Sequence, residues 1–270
     1  MMDLVPSDRD TPPRDDAEFE PADLSRFVEC IWTRSESAPA QPHRILPDGC
    51  ADFIFALGDA PEAFVVGPMT TAAVVPPRPG AMIGVRFRPG IAATLLHAPL
   101  STLTDANVAL TTWWPDAPRM LDALQSTDDV RVRVDLVAAR LRDALSRRAP
   151  IDRVLEHAAA RLTGADAPTI GELARELGRS RQHLARRFTA QVGLGPKVFA
   201  RIMRLRRVLH GLRRDRPIDW AELAARHGFA DQAHLTHDFS ELVGLTPTAW
   251  ARGSISPRHP VGAGSTSASP

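Results

Sequence analysis

The chain of 270 residues holds only two cysteines, Cys30 and Cys50. Two thiols cannot build the disulfide framework of a small secreted domain. No run of about 18 apolar residues occurs, which argues against a membrane-spanning helix. The opening stretch MMDLVPSDRDTPPRDDAEFE lacks the basic start and apolar core of a signal peptide, so the expected compartment is the cytoplasm. Lysine is nearly missing: Lys197 is the single one among 33 basic side chains. Also missing are a Ser/His/Asp order, a nucleophile elbow and a phosphate loop. His43 and His97 stand far apart, and although Asp48 and Asp52 flank Cys50, Asp48-Gly49 reads as a turn rather than part of a ligand set. No catalytic residue, metal or cofactor is expected, and the chain does not read as an enzyme. What remains is an ordinary globular composition, 44% hydrophobic and 24% charged, with room for two average domains.

The near-neutral total charge hides an asymmetry. Residues 1–150 carry 15 basic and 21 acidic side chains, a net of −6, and residues 151–253 carry 17 and 11, a net of +6. The basic half is the candidate for nucleic acid, because clustered positive charge neutralises phosphates. Residues 1–20 read as a disordered arm. Residues 21–149 read as a small barrel-like domain with helices after it. The runs RFVECIW, ADFIFALG, AFVVG and AAVVP are rich in β-branched and aromatic residues and are bounded by turn residues. In AMIGVRFRPG the alternation puts Ile83, Val85 and Phe87 on one face and Met82, Arg86 and Arg88 on the other. After Pro89, GIAATLLHA reads as a short helix, Pro115 and Pro118 break the next stretch, and 129–147 is amphipathic. SRRAP, at 146–150, is the expected boundary.

From Ile151 to Arg252 the pattern is helical, and its start and stop signals repeat. Thr169 and Glu172 form a capping box, Ser180 caps the next helix, and Gly178 and Gly193 end theirs. Asp219, Asp231, Gly228 and Gly244 play the same parts further on. ELARELGRSRQHLARRFTAQVGLGPKVF is followed by ELAARHGFADQAHLTHDFSELVGLTPTAW. Leu184, Phe188 and Gly193 match Leu235, Phe239 and Gly244 at an offset of 51. Each copy is helix, glycine turn, helix, which is the helix-turn-helix pattern. A long helix between them, expected over 195–213, spans about 28 Å at 1.5 Å per residue. That is near one turn of B-DNA, about 34 Å, so two recognition helices could enter successive major grooves. Residues 150–253 therefore read as an all-α DNA-binding domain, with 254–270 a flexible tail.

The second copy carries G-F-x-D-Q-x-x-L at Gly228, Phe229, Asp231, Gln232 and Leu235. G-x-T-P-x-x-W follows at Gly244, Thr246, Pro247 and Trp250. On these motifs the chain resembles the AraC/XylS family of transcription regulators over about residues 150–252. LPDGCADFIF and GVRFRPG more loosely resemble the barrel-like sensor domains that precede this unit in many members. The resemblance implies an α+β chain with an N-terminal small, cupin-like β-barrel and a C-terminal double helix-turn-helix domain. It also implies regulation of transcription in response to a small-molecule effector, often by a homodimer. Double-stranded DNA, RNA polymerase and an effector are the partners that follow.

Residues at the start of each second helix should meet base edges. In copy one these are Ser180, Arg181, Gln182, Ala185 and Arg186, with His183 and Arg187 beside them. Arg pairs with guanine and Gln with adenine, so Arg186 and Gln182 have the chemistry of direct readout. Counting back from Phe188, the resemblance assigns base reading to Gln182, Ala185 and Arg186. In copy two the same count gives Ala233, Thr236 and His237, with Gln232 and His234 adjacent. Copy two holds no Arg on this helix but holds Asp231 and Asp238, so copy one should fix most of the sequence preference. The copy-two contact should strengthen when His234 or His237 protonates. Arg201, Arg204, Arg206, Arg207, Arg213, Arg214 and Arg216 could bind phosphates or form a solvated basic face.

For the front half two readings stand. Arg86 and Arg88 could clamp an anionic effector from the wall of a cavity, or they could face solvent or pair with Asp48 and Asp52. Trp32, Phe53, Phe55, Trp113 and Trp114 could line a pocket or fill the core. The domain is then an effector sensor, or a ligand-independent platform for dimerisation or a protein partner, with 129–147 pairing with its mate or covering its own barrel.

Overall fold

The computed structural model describes residues 17–35, 42–147, 151–212 and 218–252. The expected arm at 1–16, the tail beyond 252, residues 148–150 of the boundary, and Arg213, Arg214 and Arg216 lie outside these residues. Among the described residues there are eight strands: β1 (Ala17–Phe19), β2 (Val28–Arg34), β3 (His43–Ile45), β4 (Ala51–Ala56), β5 (Glu62–Val66), β6 (Ala73–Val75), β7 (Met82–Phe87) and, after the first helix, β8 (Asn107–Ala109). The helices are α1 (Ile91–Leu96), α2 (Ala117–Gln125), α3 (Val130–Ser146), α4 (Arg153–Thr163), α5 (Ile170–Glu176) and α6 (Arg181–Val192). They continue with α7 (Pro196–His210), α8 (Trp220–Arg226), α9 (Gln232–Val243) and α10 (Pro247–Ala251). The chain is thus α+β, a β-rich N-terminal domain followed by a helical one. No helix among the described residues is long and apolar enough to cross a membrane.

Six strands form one antiparallel sheet in the order β1-β2-β7-β4-β5-β8, and β3 and β6 pair separately. The six-stranded sheet ends on β1 and β8, so the expected barrel is not closed by hydrogen bonds. β1 occupies residues that read as arm: its three residues are too short for a pattern, and pairing with β2 orders them. One sheet face buries Ile31, Phe53, Phe55, Val65, Ile83, Val85 and Phe87 beneath α1, α2 and α3. From α3, Val134, Val137, Ala138 and Leu141 enter this core, so the amphipathic face covers its own sheet. Pro118 does not break the chain there. It sits in the first turn of α2, where its missing N–H costs no hydrogen bond.

The other sheet face buries Ile54, Ala56, Phe64 and Met82, with Trp32 packed on them. Gly84 must be glycine, since a Cβ there would lie 2.2 Å from the Trp32 ring. The same face carries Asp52 and Arg86, cross-strand neighbours in β4 and β7. Cys30 and Cys50 are both buried free thiols, and burial pushes each thiol well up from its ordinary range.

The helical core gathers Leu155, Leu162, Leu173, Leu184, Phe188, Phe199, Ile202, Leu223, Leu235 and Phe239. Leu46 of the N-terminal domain joins it. The connector α7 has 15 residues, about 22 Å, shorter than the 195–213 helix expected. Gly211 is its C-cap, with right-handed backbone angles, and its amide donates to the Arg207 carbonyl at 3.0 Å.

Candidate nucleic-acid interface

Each repeat builds its second helix from local signals. In copy one, the Thr169 hydroxyl accepts from the Glu172 amide, and the Glu172 carboxylate accepts from the Thr169 amide, starting α5. Gly178, at φ +61°, turns the chain, and a Cβ there would meet nothing within 4 Å. Glycine is needed for its left-handed backbone, not for room. Ser180 Oγ then accepts from the His183 amide at 3.2 Å and starts α6. In copy two, Asp219 caps α8 through the Ala221 and Glu222 amides, both at 2.9 Å. Gly228 turns at φ +74°, and Asp231 Oδ1 accepts from the His234 amide at 2.7 Å to start α9.

Buried apolar side chains fix which face of each helix looks outward. Leu184 and Phe188 turn α6 inward, and the Phe188 ring meets Phe199 edge-on at 5.3 Å. Leu235 and Phe239 do the same for α9, where Phe239 meets Trp220 and Trp250, each at 5.9 Å. The outward side of α6 holds Arg181, Gln182 and Arg186, all exposed, with Ala185 and His183 half-buried beside them. Ser180 is exposed at the N-cap. On α9, Gln232, Ala233, Thr236, His237 and Ser240 line one open groove. Four of these five are residues that the sequence assigned to the outward face, and Ser240 stands one turn beyond Thr236 on the same face.

Several side chains stand elsewhere than expected. His234 turns back onto the glycine turn: its Nδ1 accepts from the Ala230 amide at 3.3 Å, and its ring lies edge-on to Phe229. Arg187 is exposed but paired with Asp152, the N-cap of α4. Asp238 does not stand before the DNA as a repelling charge. It is 3% exposed and accepts from Arg201 at 2.8 Å and Arg204 at 3.1 Å, both on α7. Arg201 also pairs with Glu241, and Arg204 lies over the Phe229 ring at 4.4 Å. Arg207 donates to the Thr163 carbonyl at 2.8 Å. Arg206 donates to the Asp48 carbonyl at 3.1 Å and faces Glu29 at 3.4 Å. The four described arginines of the connector therefore hold the protein together rather than forming a free basic face.

The N-terminal arginines are engaged as well. Arg86 is buried between Asp48, at 3.4 Å, and Asp52, at 3.3 Å. Burial alone would lower its pKa, but the two carboxylates overcome that and hold it well above its ordinary value. Burial raises Asp52, against the pull of Arg86. Arg88 donates to the Ser25 carbonyl at 2.6 Å. An anion clamp needs unanswered positive charge, and Arg86 already has two carboxylates. Phe53 and Phe55 are core, and the void beside Phe53, Leu95, Trp114 and Leu141 is ≈ 10 Å³, about one water.

Comparison with known proteins agrees with the repeat geometry. Residues 173–253 match a family described as a helix-turn-helix domain. Residues 18–109 match a family described as a domain of unknown function, DUF6597. No curated protein matches. Among solved structures, the chain is similar to ToxT from Vibrio cholerae at 9% identity and a TM-score of 0.40, covering 82% of this chain and 98% of that one. A form of ToxT bound to an unsaturated fatty acid is 11% identical, with a TM-score of 0.36 over 82% and 93% of the two chains. The C-terminal domain of AraT, a response regulator from Geobacillus stearothermophilus, is 17% identical, with a TM-score of 0.35 over 41% and 93%. Two capped helix-turn-helix units, carrying the motifs of the family they match, make residues 173–253 an AraC-type helix-turn-helix domain.

Proposed function

We propose that the chain reads DNA sequence with the outward faces of α6 and α9 and regulates transcription from the site it finds. The observation that carries this reading is the pair of stripes on equivalent helices. Gln182, Ala185 and Arg186 stand on α6, and Gln232, Ala233, Thr236 and His237 stand on α9. Both helices are capped at the end that enters a groove in helix-turn-helix proteins. Arg186 and Gln182 are assigned to base edges, Arg181 and the Ser180 cap to the phosphates beside them, and Ala185 to a thymine methyl. Double-stranded DNA is the partner, with RNA polymerase and a second copy of the chain completing the regulator.

The N-terminal domain relays a small-molecule signal to this interface. In support, it touches α4, α6, α7 and α9 through named contacts, including Arg26 with Glu156 at 2.8 Å and Gln191 with the Gly90 carbonyl at 2.6 Å. A second reading, a ligand-independent platform, is favoured by the filled core beneath Phe53 and Trp114. A thermal-shift screen of the full chain against small molecules separates the two. Binding-site selection with the full chain tests the DNA reading. An enriched site with one motif for each recognition helix, bound less tightly as salt rises, is the expected result, because phosphate contacts release counterions. No enriched motif, or salt-insensitive binding, overturns it.

A further inference from the structure

We infer that the N-terminal domain is a splint that fixes the two recognition helices relative to each other, with Thr104 and Arg44 as its positioning residues. The inference rests on reading α6 and α9 as the DNA-reading helices. The N-terminal domain touches both repeats. Gly193 and Gly244 occupy the same place in the repeat, the left-handed residue that ends each recognition helix. Both are gripped by the N-terminal domain. At the end of α6, the Thr104 hydroxyl donates to the Gly193 carbonyl at 2.5 Å. At the end of α9, Arg44 Nη1 donates to the Val243 carbonyl at 2.8 Å, and the Ala72 amide donates to the Leu242 carbonyl at 2.7 Å.

The chemistry suits the place. The last turn of a helix exposes carbonyls without partners inside the helix, and it carries partial negative charge. A hydroxyl, an amide and a guanidinium from another domain satisfy them. The fit is close at both points. A Cβ on Gly193 would lie 2.6 Å from Pro68, and one on Gly244 would lie 3.0 Å from the Arg44 guanidinium. Between these anchors the same domain also rests on the connector. A Cβ on Gly49 would strike the Phe199 ring at 2.7 Å, and Arg206 reaches the Asp48 carbonyl.

The two anchors belong to different parts of the N-terminal domain. Thr104 follows the helical segment packed on the six-stranded sheet. Arg44 and Ala72 belong to the separate β3–β6 ribbon and its entry. The ribbon therefore holds α9 while the sheet body holds α6. A shift of the ribbon against the sheet re-aims one recognition helix and leaves the other in place. Asp48, just after the ribbon strand β3, meets Arg86 of the sheet, so the buried ion pair sets the position of the ribbon.

A fixed pair of recognition helices demands a fixed spacing on DNA. One added base pair moves the second contact by about 3.4 Å and about 35°. The test uses the full chain and duplexes carrying both selected motifs, with the spacer lengthened or shortened by one base pair. The wild-type chain should lose about tenfold in affinity for each step from the optimum, a loss like that of a mismatched base pair. Arg44→Met and Thr104→Val each remove one anchor while keeping bulk. Either should flatten the spacing profile to within about threefold, leaving affinity for the copy-one motif alone within about twofold. Circular dichroism identifies which variants fold; if Arg44→Met does not, Thr104→Val decides. A folded variant with the wild-type spacing profile, or a wild-type chain indifferent to spacing, overturns the splint. A wild-type chain that binds no duplex at all overturns the DNA reading instead.

Discussion

The two helix-turn-helix repeats place caps, turns and core residues alike, yet they part sharply at one position. Before the core phenylalanine, copy one has Arg187 and copy two has Asp238. Arg187 lies exposed and pairs with the N-cap of α4. Asp238 is buried and joins α9 to two arginines of α7. The same repeat position therefore anchors each recognition helix to a neighbour, with opposite charge and very different burial. Charge counted along a helix is not charge presented to a ligand. With Asp238 withdrawn, the outer stripe of α9 is neutral and polar rather than acidic, while that of α6 keeps Arg181 and Arg186.

The largest expected effect tests that difference directly. Asp238→Ala removes the buried carboxylate that Arg201 and Arg204 share and should destabilise the helical domain by about 2–3 kcal/mol. Arg187→Ala breaks an exposed pair and should cost about 1 kcal/mol or less. Denaturant unfolding of the full chain measures both, and equal losses would erase the contrast. Next, Arg186→Ala should cost about 1–3 kcal/mol, concentrated at one position of the DNA site. A uniform loss over all sequences would reassign Arg186 to the backbone.

Salt dependence sharpens the comparison further. Replacing Arg181, assigned to phosphate, should reduce the slope of log K against log salt by about 1. Replacing Gln232 should leave the slope unchanged. A smaller effect concerns copy two. His237→Ala, in the groove of α9, should weaken binding at the copy-two motif by about 1 kcal/mol, and His234→Ala, on the glycine turn, should change it less. The reverse order would mean that the placement of His234 on the turn is wrong.

The smallest effect is acid sensitivity of copy one. The Thr169 capping box holds Glu172 below its ordinary value, and hydrogen bonds from Arg161 and His157 do the same for Glu176. Each binds fewer protons folded than unfolded. Their contribution is present above the ordinary value of 4.5 and is lost as pH falls through the lowered folded values. In copy two Arg226 stands where Glu176 does, so between pH 6 and pH 3.5 the hydrogen-exchange protection factors of α5 should fall more than those of α8.

The elements legible in the sequence are those set by local chemistry. Caps at Thr169, Ser180, Asp219 and Asp231, left-handed glycines at 178, 193, 228 and 244, and the 3.6-residue period gave both helix-turn-helix units and most of their outward residues. The short strands β1, β3 and β8 were not legible, because three residues carry no period and only their partners order them. The connector arginines were misread for a related reason: Arg201, Arg204 and Arg206 find their carboxylates and carbonyls far along the chain.

What the sequence by itself determined is the domain type, the repeat and the stripe of each recognition helix, because caps, turns and amphipathic period act within a few residues. Tertiary structure alone decided which charges remain free, how the sheet ends, and where the N-terminal domain grips Gly193 and Val243. Those outcomes depend on burial and on partners as many as 199 residues apart, and a desolvated charge takes whatever partner the fold brings within hydrogen-bonding distance.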